Sequence, residues 1–200
     1  MSEALAWENV HTSRDMETVS WWQEAHEVWA DLIEDLHLAP EAPIVDIGAG
    51  SSMMVDALLS RGFCNITAVD ISTAALERTR ARVGSGVDLV VADVRSYVTD
   101  VPVALWHDRA VLHFLTDPGD QAKYRRNLHA SLAPDGYAVI AVFAPDGPET
   151  CSGFPVRRYD AEELADTMQL RLQRSERRVH VTPSGVIQPF TIAVLGPPGD

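Results

Sequence analysis

Cysteine, lysine and long apolar runs are all scarce in this chain. Cys64 and Cys151 are its only thiols. They lie far apart in sequence, so a disulfide scaffold is not expected. No apolar run approaches the roughly 20 residues needed to cross a bilayer. The N-terminal stretch, with Glu3, Trp7 and Glu8, lacks the basic-then-apolar layout of a secretory signal. These features predict a cytoplasmic protein with no membrane partner. Positive charge is short as well: the formal net charge is −13. Phosphate binding needs a basic footprint, so no nucleic-acid partner is expected. The local exception, Arg171, Arg174, Arg177 and Arg178, reads as a solvated strand face with acids nearby. Lys123 is the single lysine against fifteen arginines, a bias that carries no function. The cysteines and histidines show no metal-ligand spacing, so no metal is expected.

What the chain does have is 46% hydrophobic and 22% charged residues, the balance of a globular protein with a sizeable core. Its most informative stretch is Ile44-Val45-Asp46-Ile47-Gly48-Ala49-Gly50-Ser51-Ser52. An apolar strand, a Gly-x-Gly turn and a helix start follow one another. Glycines there permit positive φ and close ligand approach, and the first-turn N–H groups face whatever sits above the strand. Ser51 or Ser52 is the expected cap, with Val55, Leu58 and Leu59 on the inner face and Gly62 ending the helix.

Further strands are expected at Asn65–Asp70, Val87–Ala92, Val101–Trp106 and Tyr137–Phe143. Helices capped by Ser72, opened by Pro118 and spanning Asp160–Met168 lie between or after them. Residues 1–17 show no clear period. A helix is predicted from Thr18 to about His37, carrying Trp22, Ala25, His26 and Ala30 and capped by Thr18 or Ser20. Leu170–His180 and Val186–Leu195 alternate around Thr182-Pro183-Ser184-Gly185 and read as an antiparallel hairpin. The tail after Gly196 is expected to be loose. Alternating strands and helices imply a mostly parallel sheet covered on both faces.

Three acids end successive strands: Asp46, Asp70 and Asp93. Ligands of open α/β sheets bind beyond the carboxyl ends of strands. Asp70 lies twenty residues after Gly50, the interval at which an acid accepts hydrogen bonds from ribose hydroxyls. Asp93 is placed to meet an adenine amino group, and Asp46 to brace the turn. A dinucleotide fingerprint needs a third glycine at position 53, which is Met53.

The segments IVDIGAGSS, TAVDIS, VADV, WHDRAVLHFL and LAPDGYAVIAVFA resemble, in order and spacing, the motifs of class I S-adenosylmethionine-dependent methyltransferases. The resemblance runs from about Trp7 to Leu195. It implies a Rossmann-like seven-stranded sheet of order 3-2-1-4-5-7-6, with one antiparallel strand and helices on both faces. It also implies S-adenosylmethionine as cofactor, with S-adenosylhomocysteine as product. One domain over 1–200 is expected, with residues 1–40 as an N-terminal lid and 41–196 as the core. Gly48 and Gly50 would pass under the methionine part, with Ser52 at the position of a further family glycine. Asp46 would hold the amino group, Asp70 with Ile71 the ribose, and Asp93 with Val94 the adenine. Asp108 and Arg109 would line the methyl end. Trp21 and Trp22 either close over cofactor and acceptor or pack the N-terminal segment.

TVSWWQ, HDRAVLHFL, APDGPETCSGFPVRRYD and HVTPSGVIQPF look like a small bacterial subgroup related to mitochondrial protein-lysine methyltransferases. For the acceptor side, His113 is the candidate base, or else a packed structural histidine. His107 is expected to point into the sheet. The loop of Cys151, Arg158 and Tyr159 would close over the acceptor, or anchor itself to the sheet. The expected activity is methyl transfer to a small-molecule thiol, amine or hydroxyl. The alternatives are protein-lysine methylation, a non-catalytic cofactor-binding module, and a dehydrogenase.

Overall fold

The structure, a computed structural model, describes residues 2–24 and 29–196. At its centre is β1 (Ile44–Ile47), whose four residues are all buried. A strand covered on both faces has no polar side to present, which is why this segment reads as a continuous apolar run broken only by Asp46. β2 (Ile66–Asp70) and β4 (Val103–Arg109) flank it in parallel, β3 (Asp88–Val91) extends one side and β5 (Leu132–Phe143) the other. β8 (Arg171–Val181) and β9 (Ile187–Gly196) close the sheet, β9 running antiparallel between β5 and β8. A two-strand flap, β6 (Thr150–Cys151) with β7 (Phe154–Pro155), stands apart from the main sheet.

The sheet order is β3-β2-β1-β4-β5-β9-β8. Setting the flap aside, this is the expected seven-stranded order with its one antiparallel strand. Helices α3 (Met54–Ser60), α4 (Thr73–Val83), α5 (Pro118–Ser131) and α6 (Ala161–Met168) connect the strands. They leave one apolar core on each face, around Leu58 and Phe143 on one side and Trp106 and Tyr124 on the other. Ser72 caps α4 by accepting from Ala75 N at 3.1 Å, and Asp117 caps α5 ahead of Pro118. The arginines of β8 meet acids, as expected: Arg174 with Asp35, Arg177 with Asp146, Arg178 with Asp31.

The N-terminal region departs from expectation. Residues that show no period form α1 (Glu3–Ser13), capped by Ser2. Where a helix is predicted from Thr18, there is a 3-10 turn at Met16–Thr18, non-helical chain through residue 24, and the one-turn α2 (Asp31–Glu34). Ala25 and His26 lie outside the described residues, as does the tail beyond Gly196. The carbonyls of Ser20 and Trp21 are taken by the side chains of His180 (2.7 Å) and Arg109 (3.2 Å). These partners come from distant segments, and the sequence pattern does not reveal them. Two smaller shifts follow at the centre. α3 starts at Met54 with Met53 as N-cap, while the Ser52 hydroxyl accepts from Met54 N at 3.3 Å. β4 begins two residues late and carries His107, Asp108 and Arg109 inside the strand.

Candidate functional site

The glycine turn after β1 has positive φ at both glycines, +64° at Gly48 and +53° at Gly50. A Cβ on Gly48 would lie 2.0 Å from Val111 Cγ2, so no side chain fits there. The turn is held from β2: Asp70 accepts from Gly50 N at 2.9 Å and from Ser72 N at 2.8 Å. Burial pushes the Asp70 carboxyl up to about 6, against those two donors. Each carboxylate oxygen accepts one of these donors and has a second lone pair.

Over this turn lies a cavity of about 140 Å³ at the carboxyl ends of the strands. Among its lining residues are Trp21, Asp46, Gly48, Gly50, Ser52, Asp70, Ile71, Asp93, Val94, Arg109 and Cys151. These are positions the sequence singles out on separate parts of the chain, and the fold brings them to one place. Asp93 is partnered by Arg95, whose Nε donates to it at 2.9 Å, and the guanidinium holds its carboxyl below the usual range. Arg109 leans over the Trp29 ring, 5.3 Å from its centroid, and donates to Trp21 O. Burial lowers it to about 10. It forms no ion pair with a carboxylate among the described residues, and its Nε has no partner there.

Five expected residues sit elsewhere. Asp108 is fully buried beneath the sheet end, accepting from Val111 N (2.8 Å), Leu112 N (3.1 Å) and the Tyr124 hydroxyl (2.7 Å). Those donors turn it away from the cavity, and burial raises it to about 6. His113 is also fully buried, 4.4 Å from the Phe114 ring centroid and 4.8 Å from that of Phe143. Neither ring nitrogen has a partner among the described residues, and burial pushes it down to about 3. It is a packed histidine rather than a base at the cavity. Tyr159 is fully buried in the lower core with Arg157 stacked on it. Arg158 ties its own loop through Gly147 O (3.2 Å) and Glu149. Both anchor the loop. Trp22 borders a small side crevice with Met16 and Met53, not the main cavity.

Other lining residues escape the sequence reading. α1 forms the roof, with Trp7 and His11 one helical turn apart. Their i, i+4 spacing was the available signal. Trp7 stands at the centre of an aromatic cluster with Trp21 (5.7 Å), Phe114 (5.2 Å) and Phe154 of the flap (5.8 Å). Three polar ties hold the roof down: Glu3 to Arg95 at 3.0 Å, Glu8 to the Ser72 hydroxyl at 2.7 Å, and His11 O to Arg78 Nε at 3.0 Å. Burial lowers His11 to about 4, and its Nδ1 has no partner among the described residues. His107, expected to point into the sheet, lines the cavity beside Asp46.

A family model described as "Methyltransferase domain" matches residues 44–136. Trans-aconitate 2-methyltransferase of Methylobacterium nodulans is 34% identical over 134 residues, which is 66% of this chain and 50% of that protein. The chain thus spans about half the length of this curated relative. Among solved structures, a SAM-dependent methyltransferase from Anabaena variabilis superposes with TM-score 0.76 at 17% identity, covering 99% of this chain and 96% of that one. The Burkholderia thailandensis 1,6-didemethyltoxoflavin-N1-methyltransferase, solved with 1,6-didemethyltoxoflavin and S-adenosylhomocysteine, gives 0.71 at 24% identity, covering 95% and 84%. At these identities the two structures speak for the fold alone. The family model spans the strands that build the glycine turn and its flanking acids, and the whole sheet has the methyltransferase order. Residues 44–136 thus match the methyltransferase-domain family, and the sheet around them has the class I S-adenosylmethionine-dependent methyltransferase fold.

Proposed function

We propose that this protein transfers a methyl group from S-adenosylmethionine to a small-molecule nucleophile. The observation that carries the reading is a single cavity joining the Gly48–Gly50 turn, the acids ending β1 and β2 and the acid just past β3, under an aromatic roof. The residues suit the cofactor. Asp46 Oδ2 and Arg109 Nε are buried without partners among the described residues, and an amino-acid end carries the ammonium and carboxylate they lack. Asp70 keeps acceptor sites for ribose hydroxyls, and Asp93 with Val94 suits the adenine. Bound there, the cofactor supplies an electrophilic methyl group.

The chain's own part is holding the acceptor in line and excluding water, by Trp7, Trp21 and Phe114. The lid expected of residues 1–40 falls to α1, which supplies that roof, whereas Trp29, Leu32 and Ile33 pack into the core. Among the described residues, neither histidine outside the Asp46 pair offers a strong base: His113 is packed elsewhere, and His11 at about 4 is a weak proton acceptor. This favours carboxylates, already anionic near neutral pH, and thiols, which ionise more readily there, over amines and alcohols. Trans-aconitate, named for the Methylobacterium relative, falls in the carboxylate class.

Incubation with methyl-labelled cofactor and a panel of thiols, carboxylates, amines and alcohols tests the proposal. Labelled thioether or ester is the expected product. Label appearing only in cellular protein would overturn it in favour of lysine methylation.

A further inference from the structure

His107, the partner of Asp46, has no role in the function described so far. Asp46 on β1 and His107 on β4 are register partners across the parallel ladder. Their side chains meet at 2.6 Å, His107 Nδ1 to Asp46 Oδ1. Both residues are nearly sealed from solvent, 2% and 4% exposed, yet both line the cavity. A carboxylate oxygen can only accept, so Nδ1 carries the proton. The other oxygen, Asp46 Oδ2, is buried with no partner among the described residues. Leaving a buried carboxylate oxygen unmatched is costly, and a donor on a bound ligand, best of all a cation, removes the cost. The imidazole is held in a ladder between two strands, so it fixes the rotation of the carboxyl plane and thereby the direction of Oδ2.

We propose that His107 is a positioning residue that orients Asp46, so that its free oxygen receives the ammonium of the cofactor's amino-acid end. This rests on the cavity being the S-adenosylmethionine site. It assigns His107 to cofactor recognition, acting through Asp46, and gives it no proton to move.

Titration calorimetry with two probes tests the proposal. S-adenosylhomocysteine carries the amino-acid end, and 5′-methylthioadenosine lacks it. His107→Leu removes the donor and is expected to weaken S-adenosylhomocysteine about tenfold, while 5′-methylthioadenosine changes by no more than about twofold. His107→Asn keeps an N–H donor and is expected to restore most of the lost affinity. A purely structural role would move both probes alike and would not be rescued by the donor. Equal weakening of both probes, or unchanged S-adenosylhomocysteine binding in His107→Leu, overturns the assignment. Should the Leu variant not fold, Asp46→Asn takes its place, with the same selective loss expected and equal loss overturning. Wild-type protein that binds neither probe overturns the cofactor reading itself, and this inference with it.

Discussion

Glu8 on α1 accepts a 2.7 Å hydrogen bond from the Ser72 hydroxyl, the same hydroxyl that caps α4 through Ala75 N. The roof of the cavity is therefore tied to the helix that follows β2, a few residues from Asp70. That hydrogen bond holds the Glu8 carboxyl below its ordinary value. Glu8→Ala removes the tie at a part-exposed site, so its stability cost is small, about 0.5–1 kcal/mol. The larger expected effect is on the roof: faster dissociation of S-adenosylhomocysteine, measured by stopped-flow tryptophan fluorescence through Trp7 and Trp21. An unchanged dissociation rate would show that α1 does not gate the cavity.

Asp70→Ala loses the acceptor for Gly50 N and Ser72 N together with any bond to the ribose. Cofactor affinity is expected to fall by about 1–3 kcal/mol. Calorimetry on the folded variant reads this directly, and unchanged affinity would remove Asp70 from the binding site.

Gly48→Ala places a methyl group into Val111 at a positive φ. About 1–3 kcal/mol of stability should be lost from overpacking, with a further cost of about 1–2 kcal/mol for the left-handed backbone. Adding Val111→Ala should recover the packing part and leave the backbone part. Chemical denaturation of the two variants separates the two contributions. Full recovery in the double variant would show that the backbone conformation carries no cost.

His113 is lowered from an ordinary 6.5 to about 3, so the unfolded chain takes up a proton that the folded chain refuses. Its contribution is intact above about 6.5 and is lost progressively as pH falls toward 3. His11, lowered to about 4, acts in the same direction. Asp70 and Asp108, both raised to about 6, act oppositely as they protonate in the folded state first. Comparing wild type with His113→Leu isolates the one residue. The melting temperature of the variant should fall less than that of wild type between pH 7 and 5, and parallel curves would contradict the burial argument.

The core of the fold is legible because its strands are buried on both faces and its helices alternate with them. Ile44–Ile47, Gly48, Gly50 and Asp70 announce themselves through apolar continuity, backbone demand and spacing. What stays hidden depends on contacts between distant segments. α1 is mostly polar because it roofs a cavity and not a core, so Trp7 and His11 stand out only once the cavity is seen. Asp108 follows the cavity-lining His107 in sequence but alternates to the other side, where Tyr124 and two backbone amides claim it. Arg158 and Tyr159 look like loop residues over an acceptor, yet one bonds its own loop and the other is sealed in the core. β4 runs three residues past Trp106, and that extension makes His107 the register partner of Asp46.

Calorimetric titration of the purified protein with S-adenosylhomocysteine, set against NAD⁺ as competitor, tests the central claim most directly. One-to-one binding of S-adenosylhomocysteine, weakened by Asp70→Ala and indifferent to NAD⁺, is the predicted result. Binding of NAD⁺ with no heat from S-adenosylhomocysteine would contradict it.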